Sequence, residues 1–482
     1  MYHYGLIGNC QASALLDREG TLVWMCLPRP DSPPVFGQLL DESGGHFKIQ
    51  VEGACKYHQH YLPNTNVLVT RIESEDGCEV KITDFCPRFE QHGRMYRPPS
   101  VFRIVEAVRG TPLVKVSNRP VIGWEKELAT PVRGNSHLRY DVRGDSLRVT
   151  TNAPLTYLTE ETSFILNEKL YFAITWGAGV EADLAAVTQQ FLEQTIQYWR
   201  VWVKHCTIPT LFQKETIRSA LTLKLHCFED TGAILAALTT SLPEEAESRR
   251  NWDYRFCWLR DAAFVLAALH QLGHFEEMEG FLRFLLNIGH RYEHSREGLG
   301  PVYALDQQLP LPETEHEGWR GFGGSRPVRS NNQAAEHVQN DVYGEMVLTL
   351  APIFFDERFQ HLRTPEHEAL LQNLIESCVR SISRSDAGLW ELRNGWQEHS
   401  FSNLMCWAGI DRAVKLKERG FLAGLDLETL RQAKRRAELA IENSTREGSV
   451  RNGPKDDSYD AALLLLPVLG FPEKDLCAQT VR

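Results

Sequence analysis

Two patterns of apolar residues divide this chain, and the change from one to the other constrains the fold most. Through residues 1–182, apolar and polar positions alternate in short runs such as 66–72 and 79–85, parted by turn residues like Glu75-Asp76-Gly77. A period of two places one strand face in a core and the other toward solvent. Segments 101–108, 146–151 and 170–176 repeat the pattern, and many short strands at hairpin spacing predict an antiparallel β-sandwich. Beyond residue 182 the apolar spacing becomes helical. Residues 184–206 read as a linker helix, followed by helical candidates at 211–229, 262–272, 276–288, 334–353, 366–382, 404–418, 427–441 and 459–466. The expected organisation is a β-sandwich domain over 1–182, a linker helix over 183–207 and a helical domain over 208–482. Gly-rich aromatic loops at 292–332 and 385–402 interrupt the helices, and long loops in a compact helical domain usually carry function. Helical hairpins joined by such loops predict a toroid with a site at one mouth.

Composition narrows the partners. The 482 residues exceed one ordinary core. The net charge is −11 and the basic residues are scattered, which argues against nucleic acid and anionic membranes and for a neutral substrate. No apolar run approaches the ~18 residues that span a bilayer. The start, Met1-Tyr2-His3-Tyr4-Gly5-Leu6, lacks the basic and apolar regions of a secretory signal. Eleven cysteines without a C-x-x-C pair read as thiols, so a cytoplasmic location is expected. His58 and His60 share a strand face, but with no third ligand evident they read as an exposed pair. No metal and no cofactor are expected.

Three motifs carry chemistry. Asn251-Trp252-Asp253-Tyr254-Arg255-Phe256-Cys257-Trp258-Leu259-Arg260-Asp261 packs rings, guanidinium groups and carboxylates into one run before an apolar helix. Aromatic faces stack on sugar C–H faces, and Arg and Asp match the paired hydroxyls of a sugar. On this reading Trp252, together with Trp390 of the second motif, is a platform for the sugar and Arg260 and Asp261 grip hydroxyls. The competing reading makes Trp252, Tyr254 and Trp258 core and Asp261 a helix cap. The second motif, Ser385-Asp386-Ala387-Gly388-Leu389-Trp390-Glu391-Leu392-Arg393-Asn394-Gly395, sets a carboxylate directly after a tryptophan. An apolar wall at Trp390 would suit Glu391 as a general acid, with Arg393 orienting it or holding a hydroxyl; the alternative is a surface Glu–Arg pair. The third, residues 319–333, is rich in glycine, arginine and amides and includes Arg326. It lacks the lysine and serine spacing of a phosphate loop.

Together with Leu27-Pro28-Arg29-Pro30-Asp31-Ser32 and Arg326-Pro327-Val328-Arg329, these motifs carry a family resemblance. The chain resembles bacterial glycoside hydrolases of family fifteen, the glucoamylase and trehalase group, from Gly5-Leu6-Ile7-Gly8-Asn9 to Tyr459-Asp460-Ala461. The resemblance implies a β-sandwich joined by a helical linker to a six-fold α/α barrel, and inverting hydrolysis of α-glucosidic bonds in trehalose or short maltooligosaccharides. It puts Glu391 at the general-acid position, Arg260 and Asp261 where the family grips the non-reducing glucose, and Arg326 at a sugar-contacting arginine. Inversion also needs a carboxylate about 6.5–9.5 Å from the acid to activate water. The family's base is a glutamate near the C-terminal end, and no segment here matches that motif. The helix count also falls short of a six-fold barrel. The expectation is a C-terminally short barrel whose apolar flanks lead to self-association or a complementing chain. Two alternatives stay open: a carbohydrate-binding remnant, and an inverting phosphorylase with one protein acid.

Overall fold

The computed structural model describes residues 3–246, 248–292 and 298–482. Met1 and Tyr2 of the leader reading, and residues 293–297 of the first long loop, lie outside the described residues. The alternation of the first part builds two antiparallel sheets. One runs Gly5–Gly8, Ser13–Leu16, Leu22–Cys26, His46–Val51, Leu113–Arg119 and Phe164–Ile165, with Pro34–Phe36 paired to Leu22–Cys26. The other runs Pro131–Arg133, His137–Val142, Asp145–Thr151, Leu170–Trp176, Ser100–Arg109, Glu79–Phe85, Leu68–Ser74 and Cys55–Tyr61. Inward residues of both sheets share one core, where Ile7, Leu22 and Val116 meet Ile82, Val105 and Val149. The rings of Phe47 and Phe172 lie edge to face at 5.4 Å across it. Arg103 is fully buried between the sheets, pairing with Asp84 at 2.7 Å and donating to the Phe47 carbonyl at 2.9 Å. Only that pairing makes a buried guanidinium tolerable. A short helix, α1 (Leu155–Thr159), lies within this domain.

The second part is helical. Asp183 caps α2 (Leu184–Lys204) by accepting from the Ala186 N–H at 2.8 Å. One end of α2 lays Phe191, Leu192 and Ile196 against Phe85, Phe102 and Ile104 of the second sheet, and the other sends Trp199, Trp202 and Val203 into the helical core. Then follow α3 (Gln213–Leu225), α4 (Leu259–Gln271), α5 (Glu276–Tyr292), α6 (Asp341–Phe355), α7 (Pro365–Ser381), α8 (Ser400–Glu418), α9 (Leu427–Glu442), α10 (Leu465–Leu469) and α11 (Lys474–Val481). Helix α6 is buried almost all round because α4, α7 and α8 pack on it, and α9 packs on α8. The apolar run at 334–353 is not one helix. Asn332 caps a 3-10 turn over Gln333–Glu336, the chain turns through Gln339 and Asn340, and α6 starts only at Asp341. The 459–466 candidate likewise divides into a 3-10 turn, Ala461–Leu464, and the short α10.

The two parts are locked together by buried charges. Arg88 donates to the Asn9 carbonyl at 2.9 Å and pairs with Glu229 at 2.6 Å. Within the helical part, Lys224 extends this network, pairing with Glu277 at 2.6 Å with both side chains almost wholly buried. Arg255 grips Asp253 at 2.9 and 2.8 Å and donates to the Ser32 carbonyl at 2.6 Å. Thus the Leu27–Ser32 motif of the sheet domain supports the base of the Asn251–Asp261 motif. Among the described residues no helix is long and apolar enough to cross a membrane, and all eleven cysteines are free.

Candidate active site

The loop before α8 presents Glu391. Ser385–Asp386 pairs with Gln397–Glu398, closing the loop at its base. Asp386, wholly buried there, accepts from the Asn340 N–H at 2.6 Å, the Gly388 N–H at 3.1 Å and the Ser402 hydroxyl at 2.8 Å. Gly388 has φ +66° and lies against the His399 ring, where a Cβ would clash at 2.6 Å. Glu391 itself adopts φ +55°, a left-handed conformation rare outside glycine and asparagine and often found at functional sites. Its N–H reaches back to the Gly388 carbonyl at 3.1 Å.

Three donors converge on one oxygen of Glu391. Oε1 accepts from Trp258 Nε1 at 2.6 Å, Gln339 Nε2 at 3.3 Å and Arg260 Nη2 at 3.3 Å. The Glu391 side chain keeps 18% of its surface exposed. With Oε1 occupied by donors, Oε2 is the oxygen left to carry a transferable proton. Arg260, in the first turn of α4, also donates through Nη1 to Gln339 at 2.8 Å and Asp341 at 2.9 Å. Burial alone would lower its pKa, but Asp341, Glu345 and Glu391 outweigh burial and hold it above the usual range. Asp261 is half-buried beside it and has no hydrogen bond from another side chain among the described residues. Burial pushes its carboxyl up, Arg260 pulls it down and Glu391 pushes it up again.

Sequence reasoning and the structure agree in placing Arg260 and Asp261 next to Glu391, and they part over the aromatic residues. Trp252 is not an open platform. The guanidinium groups of Arg329 and Arg393 sit over its ring at 4.4 and 4.2 Å, and its Nε1 donates to Glu244 at 3.1 Å. Trp390 is 56% exposed, an open ring rather than a packed wall. Trp258 borders the carboxylate instead, through its indole N–H. Arg393 turns away from Glu391, donating to Glu313 at 2.7 Å and Gln333 at 3.1 Å. Arg326 is exposed beside Arg320, Asp41 and Lys126 and makes no contact with the Glu391 cluster. In its motif it is Arg329 that is buried, pairing with Glu315 at 2.7 Å and Glu313 at 3.2 Å. Both Nη atoms of Arg260 donate to protein groups, Nη1 to Gln339 and Asp341 and Nη2 to Glu391 and the Leu389 carbonyl. Gln339, Asp341 and Asp386 were not singled out for roles from sequence; the polar run Gln339-Asn340-Asp341 inside an apolar pattern was the available signal. A cavity of about 1030 Å³ between α5, α6 and α7, lined by Tyr343, Asn373 and Arg380, contains none of Glu391, Arg260 and Asp261.

With this geometry in hand, comparison with known proteins settles the family. The family model of glycosyl hydrolases family 15 matches residues 212–482. The chain belongs to glycosyl hydrolases family 15. A trehalase-like N-terminal domain matches residues 2–158 of this family 15 member. The trehalase of Mycolicibacterium smegmatis is 29% identical over 98% of the chain and 74% of its own length. The trehalase of Mycobacterium tuberculosis is 29% identical over 86% of the chain and 65% of its own length. Trehalase 1 of Sulfolobus acidocaldarius is 30% identical over 97% of the chain and 78% of its own length. The family 15 chain therefore spans between 65% and 78% of the length of these relatives. Among solved structures, the glucoamylase from Saccharomycopsis fibuligera aligns with TM-score 0.35 and 14% identity, covering 58% of this chain and 57% of that one.

The loop carrying Glu391 gives a pH prediction. Burial, reinforced by the charge of Asp341, raises Asp386 to about 6 against the lowering effect of its hydrogen bonds. A carboxyl raised on folding binds its proton more tightly in the folded state, so its contribution to stability falls as pH rises from about 4 to about 6 and is flat above. Asp386→Asn removes that contribution. Its penalty in denaturant melts should be larger near pH 5 than near pH 7, by about 1 kcal/mol. A penalty equal at both, or larger near pH 7, would contradict the buried, proton-holding role.

Proposed function

We propose that this chain hydrolyses the α-glucosidic bond of trehalose, with Glu391 as general acid and with inversion at the attacked carbon. The observation that carries the reading is the Glu391 carboxylate, held at Oε1 by Trp258, Gln339 and Arg260 and with no donor to Oε2 among the described residues. A fixed carboxyl with one unencumbered oxygen is the arrangement needed to protonate a departing glycosidic oxygen. Asp261 feels the charge of Glu391, has acceptor capacity to spare and would hold sugar hydroxyls. Trehalose is preferred over maltooligosaccharides because the curated relatives cited above are trehalases by name and share similarity along nearly the whole chain.

The packing of α6 on both α4 and α8, with α7 against α6 and α8, supports a toroid of helical hairpins with residues 208–482 as its helical domain, residues 183–207 as linker and residues 1–182 as the sheet domain. Four further carboxylates have partners of their own. Asp253 is held by Arg255, Asp341 by Arg260, Glu398 by Asn403 at 3.0 Å, and Asp456 by Asn452 at 2.7 Å and Ser458 at 2.7 Å.

The test is glucose release from trehalose, and separately from maltotriose, with and without inorganic phosphate. The reading expects phosphate-independent glucose and a higher kcat/KM on trehalose. Glucose phosphate appearing only with phosphate would replace it with phosphorolysis, and binding without turnover would replace it with a binding role.

A further inference from the structure

Behind Arg260 lies a second pair of acids that the reaction as described does not use. Asp341 and Glu345 stand one turn apart on α6 and are 0% and 2% exposed. Asp341 Oδ2 accepts from Arg260 at 2.9 Å, while Asp341 Oδ1 and both oxygens of Glu345 receive no donor from any other described group. The two carboxyl groups are within hydrogen-bonding reach of each other. Two buried acceptors side by side are satisfied only if one of them carries a proton and donates it to the other.

Charge counting leads to the same result. Arg260 is the cation that acts on Glu345, and Asp341, Glu345, Glu391 and Asp261 all act on Arg260. Facing the acid pair are Arg260 and Asp261 from α4, Asp386 from the loop before α8, Cys406 from α8, and Glu391 through Arg260. Among the described residues, Glu345 has no cation in direct contact. Burial and the neighbouring Asp341 push its carboxyl far above the ordinary range, against a lesser pull from Arg260.

We propose that Asp341 and Glu345 share one proton and act as a positioning pair, holding Arg260 and setting how much of its charge reaches Glu391. The proton belongs to Glu345 and the charge to Asp341. Arg260 then divides between two carboxylates, Asp341 at 2.9 Å on one side and Glu391 at 3.3 Å on the other.

The test has two arms, and only the second rests on Glu391 being the acid. Infrared difference spectra at neutral pH should show the C=O stretch of a protonated carboxylic acid that disappears in Glu345→Gln. Absence of that band overturns the shared proton, whatever the chain's activity. The second arm is the pH dependence of kcat/KM on trehalose. Asp341→Asn gives Arg260 wholly to Glu391, so the alkaline limb should move to lower pH by on the order of one pH unit. Glu345→Gln keeps a neutral donor to Asp341 and should leave that limb in place. A lower rate in Asp341→Asn with an unmoved limb would mean a merely structural role and would overturn the tuning. A wild-type chain with no turnover but with the infrared band would count against the proposed hydrolysis and leave the proton pair standing.

Discussion

Glu391→Gln is expected to abolish turnover of trehalose while leaving sugar binding within a few-fold of wild type. The amide keeps the shape of the side chain and can still accept from Trp258, Gln339 and Arg260 through its carbonyl oxygen. It has no proton acidic enough to give to a leaving oxygen. General acid catalysis typically contributes about 10²- to 10⁴-fold, so kcat should fall by that amount, a barrier increase of about 3–5 kcal/mol. Binding is to be read by titration calorimetry with trehalose, and kcat by glucose release. A variant retaining more than about a tenth of wild-type kcat would remove Glu391 from the acid role.

Arg260→Lys should produce the second-largest loss. The guanidinium spans four acceptors at once, Gln339 and Asp341 through Nη1 and Glu391 and the Leu389 carbonyl through Nη2. An ammonium keeps the charge that Asp341 requires, so the chain should fold. It cannot reproduce the planar fork, so Glu391 loses a fixed partner and shifts within its loop. Misplacement of a catalytic group by about 1 Å costs on the order of 10²-fold, and kcat should drop by about that factor with KM changed much less. Equal loss in KM, with kcat unchanged, would show instead that Arg260 grips the substrate. Arg260→Met would leave Asp341 buried without a cation and should destabilise the chain by about 3–5 kcal/mol in denaturant melts.

Much of the fold could be read without coordinates because periodicity reports burial directly. The segment 79–85 alternates in sequence and is a strand with its core side chains in place, and the amphipathic 427–441 segment is α9. The run 334–353 misled because α6 is buried on nearly all sides, so its apolar residues extend past the helix start and hide the turn at Gln339 and Asn340. Glu391 was legible because a turn, a tryptophan and a carboxylate stand together in a polar loop. The role of Trp252 was not. Arg329 comes from one loop and Arg393 from another, and only their convergence covers its ring. Trp258 looked like core, and its ring is core, but its single N–H points out of that core to Glu391. The lesson of these residues is physical: pattern predicts which side chains are buried, while the direction of one polar atom depends on tertiary contacts.

The most direct test of the central claim is proton NMR of the anomers formed in the first moments of trehalose hydrolysis, before mutarotation. Inversion at one of the two α-linked carbons releases β-glucose from the attacked ring and α-glucose from the departing one, so equal initial amounts are predicted, and none in Glu391→Gln. Initial α-glucose alone would mean retention, and would contradict a mechanism in which Glu391 only donates a proton while water attacks from the opposite face.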